Sequence, residues 1–274
     1  MQQDTGMQTF WDHLDELRGV LLRIGAAVVV LAFIAFGFKD ELFSVVLAPS
    51  DSDFVTYRLL GALADVSGLS GLAPEAFSIR LINTRLAAQF IVHMQVAFYA
   101  ALFMASPYVL FQLFRFVSPA LYDNERHYAV RVVGWGYVLF FLGVGLGYLL
   151  IFPFTFRFLG LYTVSPEVVN AITLESYMDT FTTLLLMMGL LFEMPLLCWF
   201  FAKLHFLTAS FMRHFRRHAV VLILVVCAVI TPTSDAFTLL LVSVPMYLLY
   251  EMSICVVART AVDRYPAGTE EKTN

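Results

Sequence analysis

Three carboxylates stand where acidic side chains are costly or unexpected. Glu193 lies near the middle of residues 180–202, a run otherwise free of charge. At the centre of a bilayer an ionised carboxylate costs at least about 2.5–3.5 kcal/mol, so it must meet a partner, face a wet cavity or carry a proton. A structural hydrogen bond between helices and a functional polar site in a water-accessible groove both satisfy that demand. Glu16 and Glu125 fall in two segments, 10–18 and 116–126, that border apolar runs. Both segments are acidic where membrane-flanking chain ordinarily carries Lys and Arg. Alone, the first reads as an interfacial helix, with Phe10, Leu14, Leu17 and Leu21 on one face and Asp12, Asp15 and Glu16 away from it. Alone, the second reads as an acidic loop with a Glu125 salt bridge. Together they place two carboxylates on one membrane face, an arrangement that suits guanidinium groups, because Arg pairs bidentately with carboxylate.

The remaining polar outliers invite structural readings. Glu251 lies nearer the end of its run and reads as an interfacial anchor, and His93 and Gln95 read as polar contacts between helices. Pro107, Pro153, Pro195 and Pro245 each remove a helix hydrogen bond from an apolar run. They are either ordinary membrane-helix prolines or the bends of a set of helices enclosing a concave face. At 231–235 (Thr-Pro-Thr-Ser-Asp) the chain is long enough only for a tight hairpin. There Ser234 is placed to cap the following helix, with Asp235 in its first turn. Cys198, Cys227 and Cys255 lie in apolar runs without disulfide or metal-ligand spacing. No HExxH or GxSxG motif, ATP site or cofactor site is visible.

The elements that must position these groups follow from composition. Of 274 residues, 60% are apolar and 14% charged, and the mean hydropathy is +0.79. Soluble domains carry about 25% charge and about 45–50% apolar residues, so water is excluded as the solvent and the bilayer takes its place. A net charge of −4 argues against a nucleic-acid partner, which requires a basic face. A span needs about 20 apolar residues in helical form. Six runs qualify, at about 19–38, 90–114, 132–156, 180–202, 218–232 and 236–258, and their only charges are Arg23, Glu193 and Glu251. The expected fold is therefore an all-α polytopic membrane protein, a single six-span domain over 1–274. It has an N-terminal segment at 1–18 and a tail at 259–274. The first two runs are joined by a long loop with a Ser/Asp-rich turn after Pro49. The fifth run is short and must thin the membrane or shift its partners.

The acidic leader argues that the first run is a retained span and not a cleaved signal peptide. Of the 17 Lys and Arg residues, only Lys39, Arg58, Arg80, Arg85 and Arg157 fall on the side opposite the termini. Both termini are therefore expected in the cytoplasm. Long apolar runs exclude a β-barrel, and no internal repeat is evident.

These segments, in order, resemble the TatC family, the polytopic core subunit of the twin-arginine protein translocase. The resemblance rests on residues 13–18 (His-Leu-Asp-Glu-Leu-Arg), Ser106–Pro107 with Gln112, and Phe116, Pro119, Leu121, Tyr122, Glu125 and Arg126. It continues through 192–195 (Phe-Glu-Met-Pro), Thr231 and Pro232 with Asp235, and Pro245 with 249–251 (Leu-Tyr-Glu). It implies a receptor and not an enzyme, one that binds the signal peptides of folded cargo proteins at the cytoplasmic face. It also implies assembly with TatA/TatB-type single-span subunits into an oligomeric complex of the cell membrane, with transport driven by the proton motive force. By this resemblance Glu16 and Glu125 receive the paired arginines, with Arg18, Phe116 and Arg126 as their support. Pro49 and Asp235 match positions that matter in the family, and Glu193 matches its intramembrane carboxylate. Leu239 stands where a polar Gln is usual for partner contact, and His127 where a second Arg is frequent. A competing class is a proton-coupled small-solute transporter using Glu193 with His93, which requires a second buried ionisable group within reach.

Overall fold

A charge-free chain of 25 to 30 residues has one inexpensive conformation in hydrocarbon, the α-helix, because every backbone N–H and C=O finds its partner within the segment. The computed structural model describes residues 10–67, 77, 79–117, 129–165, 167, 170–231 and 235–262. Its long helices are α1 (Phe10–Phe36), α4 (Ala88–Val117), α5 (Ala129–Leu146) continued by α6 (Phe152–Leu161), α7 (Leu174–Phe192) continued by α8 (Met194–Lys203), and α11 (Ala236–Val262). Shorter ones are α2 (Lys39–Leu47), α3 (Val55–Ser67), α9 (Ala209–His214) and α10 (Arg216–Ile230). Among the described residues, five helical stretches are long and apolar enough to cross a bilayer: 14–36, 88–116, 133–161, 174–203 and 236–260. At 15 residues, α10 is only about 22 Å long, less than the hydrocarbon thickness of about 30 Å. Among the described residues the only β-pairing is an isolated parallel bridge between Ile82 and Thr173.

The helices form two compact units: residues up to Leu42 with His93–Tyr137, and Phe43–Val92 with the chain from Val138 onward. In the first, α1 meets α4 through Val28, Ala101 and Ala105, with Ile24, Leu31 and Val109 around them. Small residues let two backbones approach closely where hydrophobic association has no force. Phe36 stacks on His93 with ring centroids 4.0 Å apart. The packing of Val28 against Ala101, eight residues further along each helix in opposite chain directions, makes the pair antiparallel. Inside α4, Pro107 cannot donate to the carbonyl of Phe103. The hydroxyl of Ser106 donates to that same carbonyl at 2.7 Å, so the proline leaves no orphan acceptor at membrane depth.

The second unit is organised by α5–α6 crossing α7. Gly143 and Gly189 make the crossing close. A Cβ on Gly143 would lie 2.5 Å from the Met188 carbonyl and 2.8 Å from Phe192, and one on Gly189 would lie 2.7 Å from the Phe140 ring. Between α5 and α6 the chain takes one π-type turn, Gly147–Ile151, ahead of Pro153. The Leu149 carbonyl, which Pro153 cannot serve, accepts from the hydroxyl of Thr56 on α3.

The α1–α4 connection contains the turn expected after Pro49, with the Phe54 N–H donating to the Asp51 carbonyl at 3.1 Å and the Asp53 N–H to the Asp51 carboxylate at 3.0 Å. It is not simply a loop, however, because two helices, α2 and α3, flank that turn. Three tyrosines hold this connection. Tyr148 donates to the Val45 carbonyl at 2.8 Å and Tyr177 to that of Val46 at 2.8 Å. Tyr57 donates to the carbonyls of Pro49 at 3.3 Å and Pro153 at 2.9 Å. Edge-on contacts of Phe152 with Tyr177 and Phe181, at 5.0 and 4.9 Å, fill the space behind them.

Candidate functional site: a buried carboxylate and the ends of two helices

Glu193 stands at a break. Helix α7 ends at Phe192, and α8 begins at Met194 with Pro195 in its first turn. Pro195 lacks the N–H that would reach the Leu191 carbonyl. The backbone N–H of Glu193 turns back onto the Leu190 and Leu191 carbonyls instead, tightening one turn without unwinding the span. The side chain is 7% exposed, and neither carboxylate oxygen has a hydrogen-bond partner among the described residues. Phe192, the residue before Glu193, packs so closely on α5 that a Cβ on Gly143 would lie 2.8 Å from its side chain.

In the first unit, Glu16 lies in the second turn of α1, half-buried, beside exposed Asp15 and near exposed Arg18. Phe116, half-buried, and exposed Arg115 lie in the last turn of α4. Extending the Phe36–His93 and Val28–Ala101 register by twelve residues, about 18 Å, places Glu16 level along the axis with about Leu113. The start of α1 and the end of α4 therefore belong to the same end of this unit. Glu125 and Arg126 lie outside the described residues. Sequence reasoning gave no separate role to Gln112, which is 4% exposed. Its amide donates to the Tyr108 hydroxyl at 2.7 Å, and its carbonyl oxygen has no partner among the described residues. A carboxamide one turn before Phe116 in a charge-free run was the available signal.

The other candidate residues take structural positions in the second unit. Pro49 is buried in a 3₁₀ turn and presents its carbonyl to Tyr57. Asp235 caps α11, its carboxylate accepting from the Thr238 N–H at 2.7 Å. The cap expected of Ser234, which lies outside the described residues, thus belongs to Asp235, because the helix starts at Ala236. Leu239 is half-buried in the first turn of α11. Glu251 is not alone at its interface: Arg216 on α10 donates to it at 2.7 Å and Tyr247 at 3.1 Å.

Proline-interrupted apolar helices, a buried carboxylate at a helix break in one unit and, in the other, paired helix ends bearing Glu16 and Phe116 define a polytopic membrane protein with polar groups set into its spans. Residues 12–245 match the family described as Sec-independent protein translocase protein (TatC). Among curated proteins of that name, the one from Deinococcus radiodurans is 32% identical over 245 residues, 89% of this chain and 83% of that one. The Campylobacter jejuni protein is 31% identical over 90% of this chain and 92% of its own length. A Blattabacterium protein is 29% identical over 93% of this chain and 97% of its own. A crystal structure of the twin-arginine translocase receptor TatC superposes with a TM-score of 0.70 at 26% identity, over 89% of this chain and 97% of that one. This chain belongs to the TatC family and is a membrane-embedded subunit of a twin-arginine, Sec-independent protein translocase.

Proposed function

We propose that this protein is the receptor of its translocase, binding twin-arginine signal peptides of folded cargo through the carboxylates of Glu16 and Glu125. In this reading both termini are cytoplasmic, α10 completes a set of six spans, and the start of α1 with the end of α4 forms the recognition surface. Arg18, Phe116 and Arg126 support it, and TatA/TatB-type single-span subunits join for transport driven by the proton motive force. The observation that carries the reading is the antiparallel register of α1 and α4, which brings Glu16 to the end of the unit from which the chain runs on to Glu125. Family membership supports it as well. A guanidinium ion paired with one carboxylate contributes about 1.5–3 kcal/mol, less where water screens it, so each pair supports about a tenfold change in affinity.

The test is peptide binding by purified protein, with a twin-arginine signal peptide and its twin-lysine counterpart. Glu16→Gln and Glu125→Gln are each expected to weaken the twin-arginine peptide by about tenfold and to compress the preference over the lysine peptide. Retention of full affinity and preference by the double variant, in correctly inserted protein, would refute the assignment. The transporter alternative needs a relay partner for Glu193, and no described residue hydrogen-bonds to that carboxyl.

A further inference from the structure

The connection from α8 through α9 to α10 has a composition found nowhere else in the chain. Between Glu193 and Asp235 the sequence contains no acidic residue, yet it holds Lys203, Arg213, Arg216, Arg217, His205, His214 and His218. Arg213, His214, Arg216, Arg217 and His218 are all exposed. Arg216 is committed to Glu251, whereas Arg213 and Arg217 meet no carboxylate among the described residues. Three aromatic side chains are interleaved with these cations and turned outward: Phe206 at 79% exposure, Phe211 at 54% and Phe215 at 38%. Phe211 and Phe215 lie against one another, ring centroids 4.6 Å apart, and His218 packs on Phe215 at 5.4 Å. The segment is ordered. Thr208 caps α9 by accepting from the Phe211 N–H at 3.3 Å, and the Met212 carbonyl receives the Tyr250 hydroxyl at 2.8 Å.

Its place in the fold decides what such a surface meets. The chain leaves an apolar span at Lys203 and enters the apolar body of α10 at Ala219. The intervening turns therefore lie at the boundary between hydrocarbon and water, whichever leaflet that is. Exposed phenylalanines there are covered by acyl carbons, and cations at the same height stand level with phosphodiester groups. An acidic protein segment would answer the charge but would leave Phe206 and Phe211 uncovered.

We propose that the α8–α10 connection is a binding surface for anionic phospholipid headgroups, with Arg213 and Arg217 taking the phosphate charge and Phe206, Phe211 and Phe215 seated among the acyl carbons beneath. The inference is independent of signal-peptide recognition, since it requires only protein and lipid.

The test uses the full chain in nanodiscs of phosphatidylcholine containing a trace of headgroup-photoreactive phosphatidylglycerol or phosphatidylcholine, with labelled residues mapped by mass spectrometry. The phosphatidylglycerol probe is expected to label residues 203–218 and the phosphatidylcholine probe to label them far less. At a wet surface each arginine–phosphate contact is worth up to about fivefold in association. Arg213→Gln with Arg217→Gln should therefore reduce this labelling by up to about 25-fold, and Lys at both positions should preserve it. Because neither arginine bonds to the described fold, the double variant should keep its monodispersity and melting temperature. Equal labelling by both probes, or undiminished labelling in the double Gln variant, overturns the proposal. So does displacement of the label by excess glycerophosphoglycerol, which marks a soluble-anion site, or by an acidic peptide, which marks a protein-docking site.

Discussion

Substituting Gly143 by Ala tests how closely α5 and α7 pack beside the break at Glu193. The added Cβ would lie 2.5 Å from the Met188 carbonyl oxygen and 2.8 Å from both Cβ and Cγ of Phe192. Ordinary contact begins near 3.4 Å, so α5 and α7 must part by about 0.5–1 Å, and a gap of that size forfeits about a quarter to a half of each dispersion contact across it. Backbone cannot swing aside as a side chain does. The cost therefore falls in the overpacking range of about 1–3 kcal/mol, offset by about 1 kcal/mol because Ala favours the helix over Gly. Gly145, two residues on, supplies the control, since a Cβ there meets nothing within 4 Å. Gly145→Ala should be neutral or stabilising by up to about 1 kcal/mol, leaving the two alanines about 1–3 kcal/mol apart. Reversible unfolding in mixed micelles measures the difference. A Gly143→Ala protein as stable as Gly145→Ala would refute the close crossing and, with it, the close packing of Phe192 on α5.

Two further perturbations address the devices that satisfy the backbone. Ser106→Ala leaves the Phe103 carbonyl without either the Pro107 N–H or a hydroxyl, and should cost about 1–3 kcal/mol. Ser106→Thr should recover most of it, and unfolding midpoints in detergent compare the three. Tyr57→Phe removes the donor to Pro49 and Pro153 and should cost a similar amount, whereas exposed Tyr162→Phe should cost nothing measurable. Burial holds the Tyr57 phenol above its ordinary value of about 10, partly opposed by nearby Arg157. A folded value raised above the unfolded one gives stability that is complete below about pH 10 and declines as pH rises through the shifted value. An alkaline titration of stability should therefore fall above about pH 10 in the wild type and fall less steeply in Tyr57→Phe.

The spans were the most legible part of the sequence, because charge is excluded from hydrocarbon on energetic grounds and 90–114 contains none at all. The break at Glu193 was half legible: a proline two residues after a buried acid announces a disturbance. Whether that disturbance unwinds the helix or merely tightens one turn depends on the Leu190 and Leu191 carbonyls, which carry no sequence signal. The π-type turn at Gly147 was not legible, since one extra residue in a turn leaves a uniformly apolar run looking uniform. The two helices between α1 and α4 escaped for a different reason. Their short apolar faces are ordered by tyrosines from the Gly147 turn and α7, a long-range cause that local periodicity does not contain. Glu16 was found by residue type and Phe116 through the family resemblance, and the α1–α4 register brings the helix ends that bear them to one level.

The three tyrosine clasps impose an order in time on the making of this protein. Val46 waits for a hydroxyl 131 residues further along the chain, and Val45 for one 103 residues away. At about 5–20 residues per second of synthesis, the α2–α3 segment exists for roughly five to twenty-five seconds before its anchors are made. During that interval it must hold itself together, and it carries local means of doing so. The first turn of α2 holds Asp40 and Glu41, which suit a helix N-terminus, and the Asp51 turn is bonded to itself. Closure of the clasps then serves as a record that α5 and α7 have arrived and packed, so assembly of this half of the molecule ends at a segment that was among the first to be synthesised.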